Sequence, residues 1–64
     1  MYVIVYVDDF GIDVKFLTSA FSPSFSYSFD DAVHFNEYRV AYDICSSLRE
    51  HGLSCSILSL IGLN

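Results

Sequence analysis

The first seven residues, MYVIVYV, are apolar at both alternating sets of positions: Tyr2, Ile4 and Tyr6 on one, Val3, Val5 and Val7 on the other. A strand covered on both faces reads this way, so this stretch is expected at the centre of a sheet. Asp8-Asp9-Phe10-Gly11 follows with turn chemistry, Gly11 being able to take positive φ. Ile12, Val14 and Phe16 then alternate with Asp13 and Lys15, the pattern of a second strand with one more polar face. Together they predict a hairpin from Met1 to Ser19. Ser19 to Ser24, around Pro23, reads as a loop. SFSYSF, Ser24 to Phe29, alternates with period two and is read as a short edge strand, an extended aromatic loop on the sheet being the alternative. Asp30-Asp31-Ala32-Val33 reads as a capped single turn.

From Phe35 to Leu53 the period becomes helical. Tyr38, Ala41, Ile44, Cys45 and Leu48 form one apolar stripe, while Arg39, Asp43, Ser46, Ser47, Arg49 and Glu50 fall mostly on the other side. Asn36 is placed as the N-cap, with Phe35 and Val40 as a hydrophobic staple across it. Gly52 stands where a left-handed residue ends a helix, and Leu53 can close back on Leu48 in a Schellman motif. The helix is expected over about 36–51. Ser54 to Ile61, SCSILSLI, is a last short strand, and the chain from Gly62 onward is expected to fray. A right-handed crossover from strand two lands the last strand on the far side of strand one, so the sheet order is second, first, last, with 24–29 as an extra edge strand. The fold class is α+β: a small antiparallel sheet with one helix packed on one face, residues 1–64 making a single domain.

Length sharpens this picture. A chain of 64 residues buries only about 60% of the surface it exposes when unfolded, and a core of that size supplies roughly 3–5 kcal/mol. Two cysteines, Cys45 and Cys55, make no secreted disulfide framework, and a bridge between helix and last strand is disfavoured in a reducing compartment. No basic start precedes an apolar leader, and no apolar run reaches the ~18 residues of a membrane span. A cytoplasmic location is expected, with no membrane partner. Three basic residues against eight acidic ones leave a net charge of −5. That excludes nucleic acid as a direct ligand, because cationic contacts to phosphate supply most of such affinity. Five Tyr and six Phe are many for so small an interior. They either stand in for missing Leu and Met in the core or face a partner, where aromatics are enriched.

Catalytic and metal chemistry find little footing. Asp8, Asp9 and Asp13 gather at the hairpin end and Asp30 and Asp31 form a second acidic pair, but no EF-hand or zinc-finger spacing is present. His34 and His51 flank the helix, about 26 Å apart at 1.5 Å per residue. Cys45 lies on the apolar stripe as a small core residue, and none of the serines has a G-x-S-x-G context. No enzyme activity, metal or cofactor is expected.

Two resemblances bear on function. YVIVYVDDF, Tyr2 to Phe10, resembles the YxDD hairpin of reverse-transcriptase palm domains, where two aspartates hold catalytic magnesium. The further metal-binding aspartate and the fingers that such a site requires have no counterpart in this chain. A second resemblance spans most of the sequence. The Tyr/Val-rich hairpin, then DDAVHF, the helix AYDICSSLREHGL and the closing SILSL resemble small ββαβ proteins of bacteriophage early and accessory genes. Ala32, Phe35, Ala41, Leu48 and Gly52 hold the matching positions, although this chain is richer in Ser and aromatics and poorer in Lys and Glu. The resemblance implies a non-enzymatic inhibitor of the anti-CRISPR or host-takeover type, one that binds a host or defence protein and occludes a nucleic-acid-binding surface. Asp8, Asp9, Asp13, Asp30 and Asp31 are the candidate acidic contacts, with Phe25 and Tyr27 as aromatic anchors. The competing expectation is a self-associating homodimeric module with an exposed aromatic edge.

Overall fold

The computed structural model describes residues 1–21 and 23–60. It runs β1 (Tyr2–Val7), β2 (Val14–Ser19), β3 (Ser24–Ser26), a 3-10 turn (Phe29–Asp31), α1 (Tyr38–Glu50) and β4 (Cys55–Ser59). The four strands form one sheet in the order β3-β2-β1-β4, each neighbour antiparallel. β1 is therefore interior, as its two-sided apolar pattern requires. The α+β class, the hairpin, the returning last strand and the extra edge strand are all present.

Register assigns the faces. Tyr6 lies opposite Lys15 and Cys55, and Ile4 lies opposite Ile57. Leu17 lies opposite Phe25. These residues share the face that α1 covers. Ile4, Leu17, Cys45, Leu48 and Cys55 form the buried cluster there, with Tyr6, Phe25, Phe35, Ile44 and Leu53 packed against it. At about 25 cal/mol per Å² of apolar area, each fully buried aliphatic side chain contributes roughly 1.5–3 kcal/mol before entropy is subtracted. The cluster is small, and losing one member is a large fraction of it. The opposite face carries Val3, Val5 and Val7 of β1 with Val14 and Phe16 of β2, and only Val3 is fully buried there.

β3 is shorter than the period of SFSYSF predicts. Ser28 donates its backbone N–H to the Ser26 hydroxyl oxygen at 3.0 Å, and Ser26 in turn donates to Asp31 Oδ2 at 3.2 Å. A serine that offers the backbone a local partner competes with the ladder, so the strand ends at Ser26 and Tyr27 turns out of the sheet. Phe29 then packs edge-on against Phe16, with ring centroids 5.4 Å apart, on the face away from α1.

The single turn expected over Asp30–Val33 is present as the 3-10 turn Phe29–Asp31, one residue earlier and without a side-chain cap, and the route from it to the helix is extended. β1 and β2 pair only from Val5/Phe16 to Val7/Val14. Beyond that the strands part, and residues 33–35 enter the gap. Val33 donates to the Leu17 carbonyl at 2.9 Å, while Tyr2 and Phe35 exchange two backbone hydrogen bonds of 2.8 Å. Those bonds hold Phe35 in extended geometry, so the chain needs Asn36 and Glu37 to turn into a helix. The N-cap is accordingly Glu37, in β geometry and without a side-chain capping bond, rather than Asn36. Val40 is 44% exposed and not among the residues packed on the core, whereas Phe35 is.

The other end of α1 follows the sequence. Gly52 has φ +89°, Leu53 N–H reaches the Leu48 carbonyl at 3.1 Å, and Gly52 N–H reaches Arg49 at 3.0 Å. That bond pair, with Leu53 and Leu48 both in the core, is a Schellman motif. Arg49 Nε donates to the Cys55 carbonyl at 2.7 Å, tying the helix end to β4. The last strand is shorter than the expected Ser54 to Ile61: β4 runs Cys55–Ser59 and Leu60 is already outside it, while the fraying expected from Gly62 lies outside the described residues.

Candidate protein-docking surface

The hairpin end is built around Asp8. Its N–H donates to the Asp13 carbonyl at 3.2 Å, its carbonyl accepts from Gly11 N–H at 3.0 Å, and its Oδ1 accepts from Ile12 N–H at 2.9 Å. Gly11, at φ +70°, supplies the left-handed step that lets the loop close. Asp8 is thus half-buried and engaged in forming the turn, whereas Asp9 and Asp13 are exposed. The loop so closed carries two apolar side chains outward: Phe10 is 84% exposed and Ile12 77%. A hairpin tip stands beyond the sheet, so neither residue has a core within reach. The tip thus presents an apolar pair flanked by two exposed carboxylates. Sequence reasoning singled out the aspartates and passed over Phe10 and Ile12. The available signal was their position inside a turn motif, where a large apolar side chain has nothing of its own to pack on.

The other residues singled out by sequence divide. Phe25 is half-buried on the α1 side, 5.5 Å from the Tyr6 ring, and belongs to the core rather than to an exposed anchor. Tyr27 is 64% exposed, with Lys15 Nζ 5.1 Å from its ring centroid in a cation–π contact. Asp31 accepts from Ser26, and Asp30 is exposed beside it in the 3-10 turn that packs on β2. The acids therefore occupy two elements; among the described residues, Asp8 accepts within the tip and Asp31 within the turn, while Asp9, Asp13 and Asp30 are exposed. On the face away from α1, Val14 and Leu58 are each more than two-fifths exposed, and Val5, Val7 and Phe16 are half-buried. No charged side chain occupies a strand position on that face, so the apolar surface of the tip continues onto the sheet through Val14.

The histidines and cysteines lie as follows. His51 Nδ1 lies 2.8 Å from the Ser47 carbonyl in the last turn of α1, and His34 Nδ1 lies 3.2 Å from Met1 Sδ. Cys45 and Cys55 are both buried, unbridged thiols. Burial pushes the Cys55 thiol up from its ordinary value of 9.0, and the neighbouring Cys45 adds to the shift while Arg49 opposes it. Among the described residues, no group of three or more His, Cys, Asp or Glu is placed to hold a metal ion. No helix among them is long and apolar enough to cross a membrane. No protein-family model, curated protein or solved structure matches this chain.

Proposed function

We propose that the chain is a non-enzymatic binding protein of the phage inhibitor type, which docks its hairpin end on a host or defence protein in the bacterial cytoplasm and covers a surface that otherwise takes nucleic acid. The observation that supports this is the pairing of Phe10 and Ile12, both almost fully exposed, with the free carboxylates of Asp9 and Asp13. A groove that binds nucleic acid is basic and often lined with residues that stack or pack on bases. Carboxylates in place of phosphates and a phenyl ring in place of a base are complementary to it. The charge of −5 would speed encounter with such a groove, and the apolar pair would hold the complex, since a few buried aromatics carry most of an interface's energy.

The test separates the two roles. Asp9→Asn with Asp13→Asn, leaving Asp8 in place to form the turn, should slow association and flatten its salt dependence while the melting temperature stays unchanged. Binding of unaltered rate and salt response would remove the acidic tip from the contact.

A further inference from the structure

β1 is apolar on both sides, and α1 covers only one of them. On the other, Val5 and Val7 of β1, Val14 and Phe16 of β2 and Leu58 of β4 share a face by register. The Phe29 ring stands edge-on to Phe16 there, and Val14, Phe29 and Leu58 are exposed. A sheet face that meets water normally turns polar residues to it. All three basic side chains lie on the α1 side: Arg39 and Arg49 belong to α1, and Lys15 is opposite Tyr6 in the register. Carboxylates border the open face instead. Asp31 accepts from the Ser26 hydroxyl, and Ser26 lies opposite Phe16. Asp30 is the exposed neighbour of Phe29, and Asp9 and Asp13 stand beyond Val14 at the hairpin end. His34, with its ring 5.8 Å from that of Phe29, borders the end nearest Met1.

We propose that this face takes a basic amphipathic helix of the partner, laid on β2, β1 and β4 on the side opposite α1. The inference rests on the reading of the chain as a protein-binding module and adds a second contact to the hairpin end. The footprint is that of one helix. Three strands about 4.8 Å apart span about 10 Å between the outer two, close to the diameter of a helix. α1 has 13 residues, about 20 Å at 1.5 Å per residue, and the six-residue strands β1 and β2 have about the same length. A helix as long as α1 therefore covers the second face as α1 covers the first. The rim sets its charge. Lys and Arg beside its apolar stripe meet Asp13, Asp30 and Asp31, and no Lys or Arg of the sheet opposes them. A second copy would bring its own carboxylate rim against the first, each chain carrying −5.

The probe is a fluorescein-labelled peptide of about 14 residues, with Leu on one helical face and Lys on the other. Anisotropy at low salt should show saturable binding, micromolar or weaker for so small a contact, that falls as salt rises. A peptide of the same composition, shuffled so that its Leu no longer share a face, should not bind. Val14→Thr with Leu58→Thr keeps strand formers at two exposed positions. It should melt with wild type and bind the peptide about tenfold or more weakly. Amide chemical shifts of wild type, which need no variant, should move at Val5, Val7, Val14, Phe16 and Leu58. Phe10→Ser with Ile12→Ser should bind the peptide as wild type does, which keeps failure of the hairpin-end contact distinct from failure of this one. The proposal is overturned if wild type binds nothing at about 1 mM peptide, or if the threonine variant or the shuffled peptide binds equally well. Shifts confined to residues 8–13 overturn it in favour of the hairpin end. Wild type that sediments at twice 7.2 kDa, with the threonine variant monomeric, gives the face to a second copy and overturns it too.

Discussion

Replacing Gly52 measures how much the helix terminator contributes. A Cβ at this position meets nothing within 4 Å, so any loss comes from the backbone and not from a clash. The cost is set by φ +89°. Holding an L-residue in left-handed geometry costs about 1–2 kcal/mol. Against this, a side chain at a glycine reduces the entropy of the unfolded chain by about 0.4–1 kcal/mol. The balance for Gly52→Ala is about 1 kcal/mol of destabilisation, and the β-branch of Val should carry Gly52→Val to about 2 kcal/mol. For a domain of this length each kcal/mol moves the melting point by about 4–8 °C. Far-UV circular dichroism melts should therefore fall by about that amount for Ala and about twice it for Val, with Asn at position 52 losing less than Ala because its side chain tolerates the conformation. Set against a total stability of roughly 3–5 kcal/mol, Gly52→Val remains mostly folded at 25 °C, so the comparison can be made on a folded protein. Gly52→Val melting with wild type would refute the reasoning, since neither the Leu53–Leu48 bond nor the Gly52–Arg49 bond would then depend on the glycine.

Four further outcomes follow from the packing and hydrogen bonds. Leu17→Ala empties a fully buried position and should cost about 2–5 kcal/mol, enough to leave a large unfolded fraction by urea titration. Asp8→Ala strips the Ile12 N–H of its acceptor and should cost about 1 kcal/mol, whereas Asp9→Ala should not shift the same titration. Arg49→Met removes the donor to the Cys55 carbonyl and should likewise cost about 1 kcal/mol in a chemical melt. Because the folded state holds the Cys55 proton above its ordinary pKa of 9.0, the unfolded state ionises first. Stability from this source is complete below pH 9.0 and is lost as pH rises through the higher folded value. Cys55→Ala should show a smaller decline across that range than wild type.

How far the sequence reached depends on the range of the forces involved. The C-terminus of α1 was legible because its determinants are local: one glycine, and a leucine five residues after another. The central place of β1 was legible for the same reason, since its alternation states that both faces are occupied. The start of α1 was not. Asn36 is a good cap by local rules, but the two bonds between Tyr2 and Phe35 join residues 33 positions apart and hold the chain extended past the place where a helix could begin. The end of β3 turned on a serine hydroxyl choosing between ladder and local turn. At the candidate site, the acidic tip was visible as turn chemistry, but the division of labour within it was not. Only the fold shows that Asp8 is held by the turn and that Phe10 and Ile12 are left outside. Phe25 failed as an anchor because the register of β3 on β2 turns it toward α1, a fact that period-two alternation cannot supply.

The most direct measurement is a paired capture experiment with immobilised wild type and the double variant Phe10→Ser, Ile12→Ser, each exposed to the same bacterial lysate in low salt and eluted with a salt gradient. Both residues are exposed, so the variant should melt with wild type. Docking through the hairpin end predicts a protein retained by wild type, released as salt rises, identified by mass spectrometry as a nucleic-acid-binding protein, and absent from the variant. A truncated hot spot typically costs 2 kcal/mol or more, about thirtyfold in affinity, so the difference between the two columns should be plain. Equal retention of that protein by the double variant would contradict docking through the hairpin end.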